Sequence, residues 1–249
     1  MDPGRDQGGP HLTDAQLSVV VPVYNEGENI DRVLRGFMGA VATRPLEILV
    51  VYDFDEDTTV PVVQRLQTEM PQVRLVRNRL GRGVLNAIRA GFGAAGAPHV
   101  LVMMADGSDE AGDVDAMMAQ AERGADLVAA ARYMRGGHQV GGPLLKRLMS
   151  RTAGLSLHWL GGVPTHDPTN NFKLYSRRLL DAVTIESRAG FELALELTVK
   201  AHALGLRIAE VPTTWRDRTA GQSRFQVRKW LPHYLRWYGY GIRTRLRRR

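Results

Sequence analysis

Apolar and polar positions fall into blocks that switch between two periods along the chain. Leu17–Val23 (LSVVVPV) is a short, β-branched apolar run and predicts a first strand. Asn29–Met38 places Ile30, Val33, Leu34 and Phe37 at helical spacing. Leu46–Tyr52 (LEILVVY) predicts a second strand, with a helix over Thr59–Met70 and a short third strand at Val73–Val76. Gly81-Arg82-Gly83 leads into a helix over Val84–Ala95. Val100–Ala105 is another apolar run, and it stops abruptly at Asp106-Gly107-Ser108-Asp109-Glu110. Such a run, bounded by turn residues, reads as a strand buried on both faces of a parallel sheet. The repeated strand-loop-helix order predicts an α/β fold with right-handed crossovers.

The second half is less regular. It predicts a helix over Asp113–Arg123 and a strand over Asp126–Ala131 that leads to Arg132-Tyr133. A glycine-rich loop, Gly136–Gly142, precedes a long helix over Leu144–Leu160 that carries Lys146, Arg147 and Arg151. Asp167–Asn171 reads as a turn and Phe172–Tyr175 as a short strand. Phe191–Leu204 has an amphipathic pattern; Leu206–Val211 reads as a strand extended by Pro212–Trp215, and Arg216–Phe225 as a loop. The expected organisation is a disordered leader over 1–15, one domain over 16–226 and a basic amphipathic tail over 227–249.

Composition changes this picture in two ways. With no cysteine in 249 residues, disulfides, thiolate metal sites and a cysteine nucleophile are excluded. The net charge of +7 is uneven: no acid follows Asp217, and residues 218–249 carry ten Lys or Arg, which leaves the body at −3. A basic tail on a mildly acidic body points to a polyanionic partner, a membrane surface or a nucleic acid. Trp230, Tyr234, Trp237, Tyr238 and Ile242 recur on one side of a helix, and Lys229, His233, Arg236 and Arg243 on the other. That is the pattern of a helix lying in a bilayer interface. The same pattern also suits a helix packing its aromatics on the body or on a second subunit. The nucleic-acid alternative has only the tail in its favour, with no recognised binding motif, so no nucleic-acid partner is expected. Met1–Gln16 is polar and does not resemble a signal peptide, and no apolar run reaches ~18 residues, so no spanning helix is expected.

Candidate chemistry sits at the strand ends. Asp53-Phe54-Asp55-Glu56-Asp57 closes the second strand, and Asp106 to Glu110 closes the central one. Loops at the carboxyl ends of parallel strands converge on the crevice where open α/β sheets bind ligands. Two carboxylates three residues apart can hold a divalent cation that keeps waters and ligand phosphates as its other partners. An acidic turn or a helix N-cap is the other reading of the same residues.

The ordered blocks carry a resemblance. They are Val19–Glu26 (VVVPVYNE), Asp53–Thr59, Gly83–Gly91, Ala105-Asp106, Ala131-Arg132-Tyr133, and Asp167-Pro168-Thr169 with Phe172-Lys173. Glu192 with Glu196, Glu210-Val211-Pro212, and Asp217-Arg218 with Gly221-Gln222-Ser223-Arg224 complete the set. The chain resembles family 2 glycosyltransferases of the GT-A fold, a Rossmann-like, mostly parallel sheet flanked by helices. Within that group it is most similar to dolichol- or polyprenyl-phosphate sugar synthases. The resemblance implies an inverting, metal-dependent transfer of one sugar from a GDP- or UDP-sugar to a polyprenyl phosphate. A hydroxyl acceptor is the alternative, and a catalytically silent nucleotide-binding relative a further one. Pro22, Tyr24, Glu26 and Asp53 are then expected to line the nucleotide pocket, and Arg82, Arg132, Arg218, Ser223 and Arg224 to meet phosphates. Asp106, helped by Ser108 or Asp109, is expected to hold Mg²⁺ or Mn²⁺. Asp109 is a ligand, a base or an N-cap. Glu192 and Glu196 orient the sugar or act as base, or form a helix-face ion pair with Lys200. The expected place of action is the cytoplasmic face of a membrane, with peripheral attachment, a separate membrane partner or a second copy of the chain.

The chain departs from the family pattern at four positions. Met104 stands where a first Asp is usual, Tyr52 replaces a frequent Asp, Phe54 a frequent Gly, and Leu85 a second Gly. The first puts metal choice in question, and the others surround the nucleotide pocket.

Overall fold

The computed structural model describes residues 14–188, 190–217 and 227–247. A seven-stranded sheet forms the middle, in the order β3-β2-β1-β4-β7-β5-β8. These are β1 (Leu17–Pro22), β2 (Leu46–Tyr52), β3 (Val73–Arg77), β4 (His99–Val102), β5 (Leu127–Ala131), β7 (Lys173–Ser176) and β8 (Ile208–Pro212). The pairs of β1 with β2 and β4, β2 with β3, and β5 with β8 are parallel. β7 runs antiparallel between β4 and β5. β6 (His138–Val140) and β9 (Thr214–Arg216) pair in parallel as a separate ribbon.

The uninterrupted apolar runs follow from burial on both faces. Val19, Val21, Ile48 and Val50 point to one side, where α1 (Ile30–Ala40), α2 (Thr59–Leu66) and α4 (Val114–Glu122) bury Leu34, Phe37, Val63 and Met117. Val20, Leu49 and Val51 point to the other, against Ile88 and Phe92 of α3 (Val84–Ala94) and Leu197 of α7 (Leu193–Ala203). Each fully buried side chain of this kind contributes roughly 1.5–3 kcal/mol. The close approach of α3 depends on Gly91, where a Cβ would lie 2.3 Å from Val20 Cγ1.

The structure departs from the sequence expectation at β4, which ends at Val102 rather than Ala105; Met103 N–H still bonds Val20 O at 3.1 Å. Of the run Pro212–Trp215 only Pro212 belongs to β8; the chain turns away at Thr213 to form β9. The glycine-rich loop contains β6, and α6 (Arg177–Ala182) follows β7 directly.

α5 (Leu144–Gly161) and α8 (Val227–Arg247) close one end of the molecule. α8 packs Trp237, only 2% exposed, against Leu157 of α5 and Leu195 and Val199 of α7. Tyr234 Oη donates to Phe191 O at 2.9 Å and Tyr238 Oη to Ser156 Oγ at 2.9 Å. The aromatic side of the tail therefore faces the body, not a bilayer, and the helix is part of the domain's packing. Among the described residues no helix is long and apolar enough to cross a membrane.

Candidate active site

The carboxyl ends of β1 and β2 are tied together by Asp57, which is buried. Its Oδ1 accepts from Asn25 N and Thr59 N at 3.1 and 2.9 Å. This holds the Tyr24–Glu26 turn beside the loop after β2, and Thr59 Oγ1 accepts from Glu26 N at 2.9 Å. Asp53 accepts from Asn78 Nδ2 at 2.7 Å and from Gly83 N at 2.8 Å, so it also fixes the entry to α3. Phe54 meets Tyr24 edge-on at 5.4 Å, and the Arg82 guanidinium lies over its ring at 5.1 Å. Pro22, Tyr24, Glu26, Asp53 and Arg82 thus gather at adjoining strand ends.

The loop after β4 is folded on its own carboxylates. Asp106 Oδ1 accepts from Ser108 N at 3.1 Å, and Asp109 Oδ2 accepts from Met104 N at 3.0 Å. Asp109 is pushed up to about 7 by burial and by the neighbouring Asp106 charge, with the Met104 hydrogen bond acting the other way. It is not an N-cap: the cap position of α4 is Asp113, and its side chain makes no capping bond. Hard oxygens at Asp106 and Ser108 suit Mg²⁺ or Mn²⁺. Among the described residues no three His, Cys, Asp or Glu come together as a metal-binding group.

From these carboxylates a cavity of about 510 Å³ runs toward α5 and α8. Polar groups in its wall include Asp106, Asp109, Arg132, Tyr133, Arg147 and Ser150. Apolar groups in its wall include Met149, Ala153, Leu195, Leu231 and Leu235. Arg132 leaves β5 and meets Asp167 along one edge: Nε donates to Oδ2 at 2.7 Å and Nη2 to Oδ1 at 3.0 Å. Burial disfavours the Arg132 charge, but Asp167 more than offsets this and raises its pKa. Beneath the turn, the buried Lys173 ammonium donates to the carbonyls of Asp167, at 3.1 Å, and Asn170. Burial drives Lys173 down to about 7 although Asp167 opposes the shift. Thr169 and Asn170 of this turn form part of the cavity wall.

The model of glycosyl transferase family 2 matches residues 18–184. The chain belongs to that family. Polyprenol monophosphomannose synthase from Mycolicibacterium smegmatis is 32% identical over 98% of this chain and 94% of its own length. Undecaprenyl-phosphate mannosyltransferase from Micrococcus luteus is 31% identical over 84% of this chain and 87% of its own. Among solved structures, glucosyl-3-phosphoglycerate synthase from Mycobacterium tuberculosis, in complex with Mn²⁺, UDP-glucose and phosphoglyceric acid, superposes with a TM-score of 0.66. That match has 19% identity and covers 91% of this chain and 80% of the other, and it shows the shared GT-A fold.

In this family 2 enzyme several expected site residues hold structure instead. Glu196 is fully buried; Oε1 accepts from Glu186 N and Lys200 Nζ, and Oε2 from Ser187 N. The ion-pair reading of Glu196 replaces the catalytic one. Glu192, also fully buried, accepts from Arg188 N at 3.1 Å and Gly190 N at 2.7 Å, and neither glutamate lines the cavity. Arg132 reaches the cavity, yet the edge expected to meet phosphate is engaged by Asp167. Arg218, Ser223 and Arg224 lie outside the described residues. The sequence reading passed over Asp167 and Ser150 as partners of Arg132, and over Trp215 and Gln139 in the cavity wall. Arg147, which the pattern places on α5 without a role, lines the cavity; its spacing of four from Arg151 on a predicted helix is the signal for it.

Proposed function

We propose that this enzyme transfers one sugar, with inversion, from a nucleotide-sugar donor to a polyprenyl phosphate, using Mg²⁺ or Mn²⁺ held at Asp106 and Ser108. One observation carries the reading: a single cavity is lined both by the carboxylate loop after β4 and by apolar side chains of α5, α7 and α8. A lipid phosphate has the matching chemistry, with an anionic head for Arg147, Ser150 and the outer side of Arg132, and a hydrocarbon chain for Leu231 and Leu235. The names of the two mycobacterial and micrococcal relatives agree with such an acceptor.

The donor lies with its nucleoside toward Tyr24, Asp53 and Arg82 and its diphosphate toward Asp106. Asp106 and Ser108 would hold the cation, which would offset the charge that grows on the leaving diphosphate. An acceptor phosphate oxygen approaches the anomeric carbon from the side opposite the leaving group. The new carbon–oxygen bond forms as the old one breaks, and the configuration inverts. A phosphate is already an anion at neutral pH, so the step needs no strong base, in keeping with the structural engagement of Glu192 and Glu196. Arg147 and Ser150 hold the acceptor head, and the apolar helices keep water from the reacting carbon.

The membrane surface enters through α5 more than through the aromatic side of α8. Leu144, Leu145, Leu148 and Trp159 lie on one outward stripe of α5, and Trp159 is 70% exposed. Leu235 of α8 is also exposed, and Arg147, Arg151 and Arg243 stand near these helices' outer surfaces. This arrangement supports peripheral attachment at the cytoplasmic face of an anionic bilayer, with the cavity mouth toward the lipid.

The test is transfer by purified protein from GDP-mannose, UDP-glucose and related donors to a short-chain polyprenyl phosphate in vesicles, with Mg²⁺ and Mn²⁺. Lipid-phosphate-dependent transfer from one donor is expected. Transfer that proceeds equally well to a hydroxyl acceptor, with no lipid phosphate present, would move the reading to the alternative acceptor class.

A further inference from the structure

We propose that Trp215 is the platform on which the transferred sugar lies, and that Gln139 fixes its hydroxyls; this rests on the nucleotide-sugar reading above. Trp215 and Gln139 are register partners in the β6–β9 ribbon, so their side chains share one face, and both line the cavity. The ribbon is joined to the carboxylate loop: Arg216 N–H donates to Ser108 O at 3.1 Å, and Arg216 Nη1 pairs with Glu110 at 2.8 Å. The indole is therefore one residue from a direct tether to the loop expected to hold the donor diphosphate.

The surroundings of the ring suit a hexopyranose. Tyr133 Oη donates to Gln139 Oε1 at 3.0 Å, which orients the amide so that its N–H donors face away from the phenol. Gly142 completes the wall. A Cβ there would stand 3.3 Å from Trp215 Cζ3 and 3.3 Å from Gln139 Nε2, and the backbone has φ +79°. Glycine suits this left-handed backbone, and any larger residue would press on both the indole edge and the amide. A pyranose presents a face of C–H groups and a rim of hydroxyls. A flat indole beside an amide and a phenol offers the complementary pair, an apolar face with hydrogen-bonding groups at its edge. Leu231 and Leu235, elsewhere in the cavity wall, offer apolar surface that suits the hydrocarbon instead.

The platform makes a specific demand: it contributes to nucleotide-sugar binding and not to nucleotide binding. Titration calorimetry with Mn²⁺ compares UDP-glucose with UDP, and GDP-mannose with GDP, on wild type, Trp215→Leu and Trp215→Phe. Trp215→Leu is expected to weaken the preferred nucleotide sugar about tenfold and leave its nucleoside diphosphate within about twofold. Trp215→Phe, which keeps a stacking ring, is expected to restore most of the loss. Where Trp215→Leu does not fold, tryptophan fluorescence decides: the quench specific to the nucleotide sugar is expected in wild type and absent in Trp215→Phe. Equal loss for sugar and diphosphate, no loss for either, or an unchanged sugar-specific quench in Trp215→Phe overturns the platform. Wild-type protein that binds nucleoside diphosphates but no nucleotide sugar overturns the donor reading itself.

Discussion

Asp167 receives the Nε–Nη2 edge of Arg132 at 2.7 and 3.0 Å, with the carboxylate fully buried and the arginine side chain 11% exposed. Arg132 N–H also donates to Asp167 Oδ2, so backbone and side chain of one residue converge on one carboxylate. Removing one partner of such a pair leaves the other charged and buried, which costs about 3–5 kcal/mol. Asp167→Ala is expected to lose stability of that size in urea denaturation. Arg132→Lys recovers little, because an ammonium cannot make the two-pronged contact.

Lys173 supplies a pH dependence. Its pKa falls from 10.5 to about 7 on folding, because burial outweighs the attraction of Asp167. The unfolded chain therefore binds more protons than the native one between those values, and stability contributed at this site rises with pH from about 7 to about 10.5. Below about 7 both states carry the proton and the site's contribution is flat. Denaturation at a series of pH values is expected to show this rise in wild type and a smaller one in Lys173→Met.

The two outer helices separate packing from surface contact. Trp237 is buried, and the cationic groups of Lys200 and Arg236 are 4.8 and 4.7 Å from its ring centre. Trp237→Ala is expected to cost about 3–5 kcal/mol. The double variant Leu145→Glu, Leu148→Glu changes exposed residues only and is expected to stay within about 0.5 kcal/mol per site of wild type. Its binding to anionic vesicles should drop several-fold in sedimentation, while transfer to a detergent-dispersed acceptor is retained.

Gly154 sets how closely α5 lies on the loop that carries His166 and Asp167. A Cβ there would stand 2.3 Å from His166 O, a backbone atom that cannot swing aside. Gly154→Ala is expected to destabilise by about 1–3 kcal/mol and to raise the acceptor KM more than the donor KM.

The first half of the fold was legible because β1 and β2 are buried on both faces, and so appear as unbroken apolar runs. Leu46–Tyr52 matches β2 from end to end. The antiparallel direction of β7 was not legible, since a short run such as Lys173–Ser176 carries no mark of direction. β6 was hidden for a different reason: His138–Val140 is short and mostly polar, and it is a strand only because β9 pairs with it. Periodicity revealed the apolar side of α8 but could not say what covers it, and α5 and α7 do. On α7, residues 193–199 are all buried, so the pattern could not choose between Glu196 as base and Glu196 as the ion-pair partner of Lys200, and the structure shows the pair. The placement of Asp53 after β2 and of Asp106 and Asp109 after β4 was legible from the apolar runs that stop at them, and the latter two line the cavity.

The measurement that bears most directly on the account is sugar transfer to vesicle-borne polyprenyl phosphate by wild type and Asp106→Asn, each with Mn²⁺ and with a chelator. The account predicts a loss of at least about a hundredfold in Asp106→Asn and on chelation of wild type, with no further loss when the two are combined. Turnover by Asp106→Asn equal to wild type, together with indifference to the chelator, would contradict it.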